Sequence, residues 1–490
     1  MVEAQPVDRV LPVGHLRLEV QLACESQSWE AIGERLRLAA PNEACTFVLT
    51  RPSVGHSRAT VLLGQPVWPE PGEVTPTPYS LDIKGDYISR VMDRAIDEGP
   101  LTGIALIHTH PATEFGAGRG VFSQRDDWYE DRLFPTLSLG RSHALFASIV
   151  LGSEPSDVDA RVWWRTDQLW VQPAQTIRLV SKTLRFLETP HSTWADHADP
   201  DIMDRSTRLW GAEGRRRLQN LRIGVVGAGG TGSLVLASAA MMGIGKIRAW
   251  DPDVIQKTNL NRLLGATRDD VGKKKIEVLR DFAVKIATAK PFEFEAIDRI
   301  GTSAESLEQL KDCDVIFSCV DKLAPRVPLN DLAYAHLIPT LDMGSWIHED
   351  GGRVDDFMTH AGLLAPGMPC ARCTQKLSPG ALKREAQGVQ RDAERRAGYG
   401  LNLTSEGDEI EPSVLPLNLT GVGLAMLQFM QLVMQLTPRT PRNLTMRMPL
   451  WDLDESDLDA LSDCGCVNDV GLGDACNIRP VVPDPVPPSP

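Results

Sequence analysis

The sequence predicts an α/β protein in two parts, and three observations carry that reading. From Leu221 onward, short apolar runs alternate with stretches of helical spacing, the pattern of a doubly wound, Rossmann-like parallel sheet. At the head of that pattern, Gly227-Ala228-Gly229-Gly230-Thr231-Gly232 follows an apolar run and opens a helix. Ahead of it, residues 1–180 read as short strands around two helices. A chain of 490 residues is also more than one core usually organises.

Along the first part, Trp29 to Leu38 has the spacing of a short helix, and Cys45–Thr50 and Ala59–Leu63 are β-rich runs. Tyr87–Ile96 is amphipathic, with Ile88, Val91, Met92 and Ala95 on one face. Ile104–Ile107 and Phe146–Leu151 are apolar strands, and Arg161–Val171, with two adjacent tryptophans, reads as a hairpin. Residues 181–200, with the run PHSTWADHADPD, have the composition of a linker. In the second part, 201–470, Arg222–Val226 is a strand, Gly232–Met242 a helix, Lys246–Trp250 a strand and Lys273–Ala289 a helix. Phe292–Ala296, Val315–Cys319 and Pro339–Leu341 come next as strands, with helices before the last two. Residues 471–490 end in the proline-rich run NIRPVVPDPVPPSP, a tail.

Composition narrows the function. Lys and Arg number 51 against 65 Asp and Glu, a net charge of −14. Such a surface repels phosphate backbones and anionic lipid, which argues against nucleic acid or membrane as the primary partner. The first thirty residues hold no uninterrupted apolar core, so no secretory signal is expected. The longest apolar stretch, Leu419–Leu436, carries Gln428, Gln431 and Gln435 at helical spacing. It reads as a buried helix with a polar stripe, not a membrane span. Nine cysteines without a signal point to the cytoplasm and to metal ligation where they cluster.

The glycine run lets a backbone approach phosphate at a helix N-terminus, and Asp251 closes the next strand where a ribose hydroxyl would lie. Taken alone, these residues suggest a nicotinamide dehydrogenase. The motifs downstream do not: Asp251-Pro-Asp253-Val-Ile-Gln-Lys-Thr-Asn259-Leu-Asn261-Arg262 leads to Gly272-Lys-Lys-Lys275, then Ser318-Cys319-Val320-Asp321 and Pro339-Thr-Leu341-Asp342-Met-Gly344. Hydride transfer has little use for so many charges beside a nucleotide. Binding a triphosphate, steering magnesium and letting a carboxylate attack needs both Arg/Lys and Asp.

This block, about residues 200–465, resembles the ThiF/MoeB superfamily of activating enzymes, which includes the adenylation domain of ubiquitin-activating enzymes. The resemblance implies that Gly227, Gly229, Gly230 and Gly232 form the phosphate loop and Asp251 holds the ribose. It implies that Asn259, Arg262 and Lys275 surround the triphosphate of ATP, and that Asp321 helps hold Mg2+ and the attacked phosphate. Arg205 aligns with an arginine that family dimers insert into the partner's site, so a homodimer is implied. The implied reaction is adenylation of the C-terminal carboxylate of a ubiquitin-like protein. For Lys273 and Lys274 a solvated surface role is preferred.

Cys370-Ala-Arg-Cys373 places two thiolates on one side of a turn, half of a tetrahedral Zn2+ site. Cys464-Gly-Cys466 is the natural other half, although family members commonly use a second C-x-x-C; Cys476 is an alternative fourth ligand. Family members that form a thioester carry a cysteine beyond the first zinc pair, whereas this chain has none between Thr374 and Asp463. A conjugating enzyme as a further partner is therefore less well founded than adenylation. Cys313 and Cys319 flank an apolar strand and read as core.

In the first part, Ile104-Ala-Leu-Ile-His108-Thr-His110-Pro111 sets two imidazoles on one side of a strand end, and Ser123-Gln-Arg-Asp126 opens a helix downstream. Two histidines and a carboxylate make a catalytic zinc set with one position open. With Asn42-Glu43-Ala44-Cys45 ahead of an apolar strand, about residues 10–150 resemble the JAB (MPN, JAMM) metalloproteases, which cleave after ubiquitin-like tails. The resemblance implies that His108, His110 and Asp126 bind Zn2+, Glu43 activates water and Ser123 stabilises the oxyanion. The run between His110 and Asp126 is longer than usual, so Asp127 or Glu114 is a possible substitute ligand.

Both parts point to one substrate class, the tail of a ubiquitin-like protein. The expectation is a metallopeptidase fused to an activating adenylyltransferase. Two alternatives stay open: an activating enzyme for a sulfur carrier in cofactor biosynthesis, and a non-catalytic scaffold that docks the ubiquitin-like partner.

Overall fold

The computed structural model describes residues 18–113, 118–197, 199–350, 353–387, 413–448, 450–456 and 458–481. Glu114 and most of the proline-rich tail lie outside them. The chain forms two compact units, one built mainly from residues up to Thr193 together with Ala335–Leu337 and Asp469–Asn477, the other from the remainder.

The first unit runs β1 (Glu19–Glu25), α1 (Ser26–Arg37), β2 (Cys45–Val54), β3 (Arg58–Val67), β4 (Val74–Thr77), β5 (Ser80–Ile83), α2 (Gly85–Asp97), β6 (Gly103–Thr109) and α3 (Gln124–Leu137). Then come β7 (Leu145–Leu151), β8 (Val158–Arg165), β9 (Leu169–Pro173), β10 (Thr176–Val180) and β11 (Leu184–Glu188). Nine of these strands form one sheet in the order β11-β10-β1-β3-β2-β6-β7-β8-β9. Its inner strand β6, Gly-Ile-Ala-Leu-Ile-His-Thr, is buried at every residue, because both faces of the sheet are covered. Ala105 and Ile107 face a core shared with Trp29, Ile32 and Leu36 of α1. Ile104 and Leu106 face the opposite core, with Tyr87 and Val91 of α2 and Leu133 and Phe134 of α3. Period-two alternation therefore puts His108 on the α2/α3 side. The 161–171 hairpin is present as β8 and β9. Strand β11 lies inside the stretch read as linker and pairs antiparallel with β10.

The second unit opens on α4 (Pro200–Asn220), which the sequence pattern did not single out and which breaks at Gly211, φ 73°. It continues with β12 (Arg222–Val226), α5 (Gly230–Met241), β13 (Lys246–Trp250), α6 (Lys275–Ile286), β14 (Glu293–Ile297), α7 (Ala304–Leu310), β15 (Val315–Ser318), α8 (Arg326–Ala335), β16 (Thr340–Asp350) and β17 (Arg353–Leu364). A helix over 379–387, α9, precedes α10 (Leu415–Met434), β18 (Leu444–Arg447), β19 (Asp452–Glu455) and α11 (Gly465–Asn468).

The sheet order is β14-β13-β12-β15-β16-β17-β18-β19. The first five strands pair in parallel, as the alternating pattern predicts. The last three add an antiparallel extension that the sequence reading stops short of, ending β16 at Leu341. Polar residues and glycines in Asp342–Leu364 hide that extension from an apolarity test. Helix α10 is long and apolar enough to cross a membrane by length and composition. Here it packs on β16, β17 and α5, with Gln428 and Gln431 bonded to the backbone at Arg442 and Thr437.

Candidate functional site

The strand order places a switch point at β12: the chain leaves to β13 on one side and returns through β15 on the other. Open parallel sheets bind ligands at the carboxyl ends of strands beside such a point. The glycine loop follows β12 there, and Cys319-Val320-Asp321 follows β15. Gly227 has φ +90° and a Cβ on it would lie 2.8 Å from the Cys319 carbonyl oxygen, while one on Gly232 would lie 2.0 Å from Gly227 O. Neither position admits a side chain. A Cβ on Gly229, by contrast, would meet open space, as an approach for a phosphate requires.

Asp251, Lys275 and Arg262 stand beside this loop. Asp251 is 6 % exposed, and its two oxygens accept the amides of Ala228 (2.7 Å) and Asp253 (2.9 Å). Burial raises its pKa, with Lys275 the leading opposing influence. The carboxylate thus braces the glycine loop besides standing at the strand end expected for a ribose contact. Lys275 opens α6, is buried, and sets Nζ 2.7 Å from Asp253 Oδ2. Asn259 Oδ1 accepts Gln256 N and closes a short turn. The stem of Arg262 packs against Gly230, whose Cβ would fall 3.2 Å from Arg262 Cγ, and its Nη1 donates to Thr258 O at 2.7 Å. Asp321 is exposed, and Arg205 is exposed on α4.

Several neighbours carried no sequence signal. Asn418 of α10 lies with Nδ2 2.7 Å from the Cβ position of Gly230. Arg326 pairs with buried Asp342, whose second oxygen lies 3.3 Å from His360 Nε2. Arg326 and His360 beside it hold the Asp342 carboxyl below its ordinary range despite burial. Burial pushes His360 down to about 4. Asp342 belongs to a motif read from the sequence; Arg326, His360 and Asn418 are ordinary residue types contributed by α8, β17 and α10, which no local motif announces.

Four sulfurs converge in the same unit: Cys370 lies 3.6 Å from Cys373 and 3.5 Å from Cys464, and Cys373 lies 3.6 Å from Cys466. Four thiolates on one zinc stand about 3.8 Å apart, so the donor set fits that ion. The Cys466 hydrogen bond lowers the Cys370 thiol to about 5, and Leu461 N donates to Cys373 Sγ at 3.3 Å. Both halves of C-x-C take part, and Cys476 is not in the cluster.

In the first unit, His108 Nε2 lies 3.1 Å from Asp126 Oδ1 and His110 Nε2 lies 3.4 Å from Asp126 Oδ2. The ligand atoms all fall within 4.8 Å of one another. His108 is 4 % exposed, yet neither ring nitrogen makes a well-formed hydrogen bond. A buried imidazole nitrogen without a well-formed bond is costly, and a cation held between His108 Nε2 and Asp126 would satisfy that nitrogen. Asp126 owes its place to a capping box at the start of α3: Ser123 Oγ accepts Asp126 N, and Ser123 N donates to Asp126 Oδ2 at 2.6 Å. Ser123 therefore has a structural task beside the oxyanion role expected of it. Glu43 is 9 % exposed, with its pKa raised by burial against the lowering influence of His108 and His110. Asp127 is engaged elsewhere, 2.7 Å from Arg161 Nη1.

With this geometry in hand, a model of the ThiF family matches residues 203–466, more than half of the chain. The SAMP-activating enzyme E1 of Haloferax volcanii is 31% identical over 33% of this chain and 56% of its own length. The sulfur carrier protein adenylyltransferase of Thermus thermophilus is 32% identical over 33% of this chain and 58% of its own. The chain spans little more than half the length of these curated relatives. Among solved structures, E. coli MccB with succinimide aligns at a TM-score of 0.42 and 18% identity, over 55% of this chain and 73% of that one.

Proposed function

The chain belongs to the ThiF family, and from that premise we propose that its second unit adenylates the C-terminal carboxylate of a ubiquitin-like protein. The observation that carries this reading is the convergence of the glycine loop, Asp251, Lys275, Arg262 and the Asp321 loop at one switch point. The backbone at Gly229 and the N-terminus of α5 receive phosphate. Lys275, Arg262 and Asn259 offset the triphosphate charge, Asp251 takes the ribose, and Asp321 holds the divalent cation. Magnesium, when bound, lowers the charge on the departing group. A carboxylate oxygen of the partner attacks the α-phosphorus, the bond from that phosphorus to the β-bridging oxygen breaks, and pyrophosphate leaves with the electron pair. The product is an acyl-adenylate. Arg205 is supplied to the site of a second copy, and the pair works in the cytoplasm.

In the first unit we assign His108, His110 and Asp126 as zinc ligands and Glu43 as the base that takes a proton from water, in a JAB-like peptidase acting on the same tail. The convergence of His108 Nε2, His110 and Asp126 supports this. Zinc there supplies Lewis acidity. A second reading, activation of a sulfur carrier, is favoured by the absence of cysteine between Thr374 and Asp463 and by the likeness to the Thermus thermophilus adenylyltransferase.

ATP–pyrophosphate exchange with small ubiquitin-like and sulfur-carrier proteins, repeated with Asp321→Ala, tests the reading. Exchange that needs one such partner and falls about 10²-fold or more in the variant supports it. No exchange with any candidate leaves the scaffold alternative. Cleavage of a tail-extended partner by the wild type and not by Glu43→Gln tests the peptidase.

A further inference from the structure

Asp321 lies in a loop whose backbone is gripped from two directions. Ahead of it, Arg326 donates Nη2 to the carbonyl of Val320 (2.5 Å) and to Met343 O (3.1 Å), while Nη1 pairs with buried Asp342. Behind it, Glu385 accepts two consecutive amides, Leu323 N on Oε1 at 2.7 Å and Ala324 N on Oε2 at 2.9 Å. Two successive amides aimed one way make an anion cradle, and a carboxylate filling it makes charge-assisted bonds. Among the described residues, no hydrogen bond or ion pair involves the Asp321 carboxylate itself, so the backbone alone fixes where that side chain starts. Glu385 comes from α9, whose start is fixed close to the cysteine cluster. Ser378 Oγ accepts Ala381 N, Leu377 N donates to Ala371 O, and Thr374 N donates to Cys370 O.

We propose that Glu385 is a positioning residue of the nucleotide site: by filling the cradle at Leu323–Ala324 it holds Asp321 where the divalent cation of a bound nucleotide needs it. This rests on the adenylation proposed for the second unit. Glu385 touches neither nucleotide nor cation in this role. Its effect is confined to how much the cation adds to nucleotide binding.

The experiment uses the full chain and measures ATP affinity with and without Mg2+ by calorimetry. The readout is the factor by which Mg2+ tightens binding. Glu385→Ala is expected to shrink that factor about tenfold, the scale of a lost charge-assisted pair, and to leave Mg2+-free binding unchanged. Glu385→Gln keeps one acceptor and should fall between, and it carries the test if the alanine variant folds poorly. In an Asp321→Ala background, removing Glu385 should add nothing, because both changes act through one carboxylate.

The proposal is overturned if Glu385→Ala leaves the Mg2+ factor intact, weakens Mg2+-free binding equally, or adds fully to Asp321→Ala. Should Asp321→Ala itself leave the Mg2+ factor intact, the role given to Asp321 falls first and the inference with it. That outcome is distinct from failure at Glu385 alone.

Discussion

Glu130 is the clearest single-residue case of burial outweighing pairing. Arg161 Nη1 reaches its Oε2 at 2.9 Å, while among the described residues Oε1 makes no well-formed hydrogen bond. Burial, opposed by Arg161, raises its pKa from 4.5 to about 7. A carboxyl raised in the folded state is neutral there while the unfolded chain ionises. Its contribution is thus full below about pH 4.5 and lost as pH rises to about 7, an amount of roughly 3 kcal/mol. Denaturant titrations across that window should show a fall in the first unit's stability that Glu130→Gln flattens. At Lys275, Lys275→Met removes the buried ammonium beside Asp253. Pyrophosphate exchange should drop about 10²-fold while the melting temperature holds within a few degrees.

The element that ties sequence most closely to site is α3. Its first turn makes a capping box, and the residue that closes the box is also the carboxylate facing His108 and His110. Ser123→Ala should cost about 1 kcal/mol and weaken zinc binding about tenfold, since Asp126 loses its orienting partner. Ser123→Asp restores a good cap but cannot donate to an oxyanion. If Ser123 does both tasks, this variant regains stability and zinc yet cleaves no substrate; if it only caps, cleavage returns as well. The constellation His108, His110, Asp126 was legible in the sequence because strand parity and an S-x-x-D cap are local patterns. Arg326, His360 and Glu385 were not, although Asp342, which two of them meet, stood in a motif read from the sequence. Each is a common residue type, and only strand pairing and a helix some sixty residues downstream bring them to the Asp321 loop.

At the scale of the whole molecule, the parallel half of the second unit was readable from alternating apolar runs. The antiparallel extension, β17–β19 and the far part of β16, was not, because its residues are too mixed in polarity to stand out. The two metal clusters predict two zinc ions per chain. Metal analysis should find one left in Asp126→Ala and one left in a Cys464→Ser/Cys466→Ser double variant. Mild chelation should strip the three-ligand site first, since a closed thiolate set holds zinc more firmly.

The cysteine cluster has a further consequence, which concerns chain length rather than chemistry. Cys373 and Cys464 stand about ninety residues apart in the chain but meet at one cluster. A cross-link of that span removes freedom chiefly from the unfolded chain, and doubling the enclosed length changes the closure cost by only about 0.6 kcal/mol. Length changes confined to the connections of that stretch, outside α9, α10, β18 and β19, therefore leave its ends pinned to the same point of the fold.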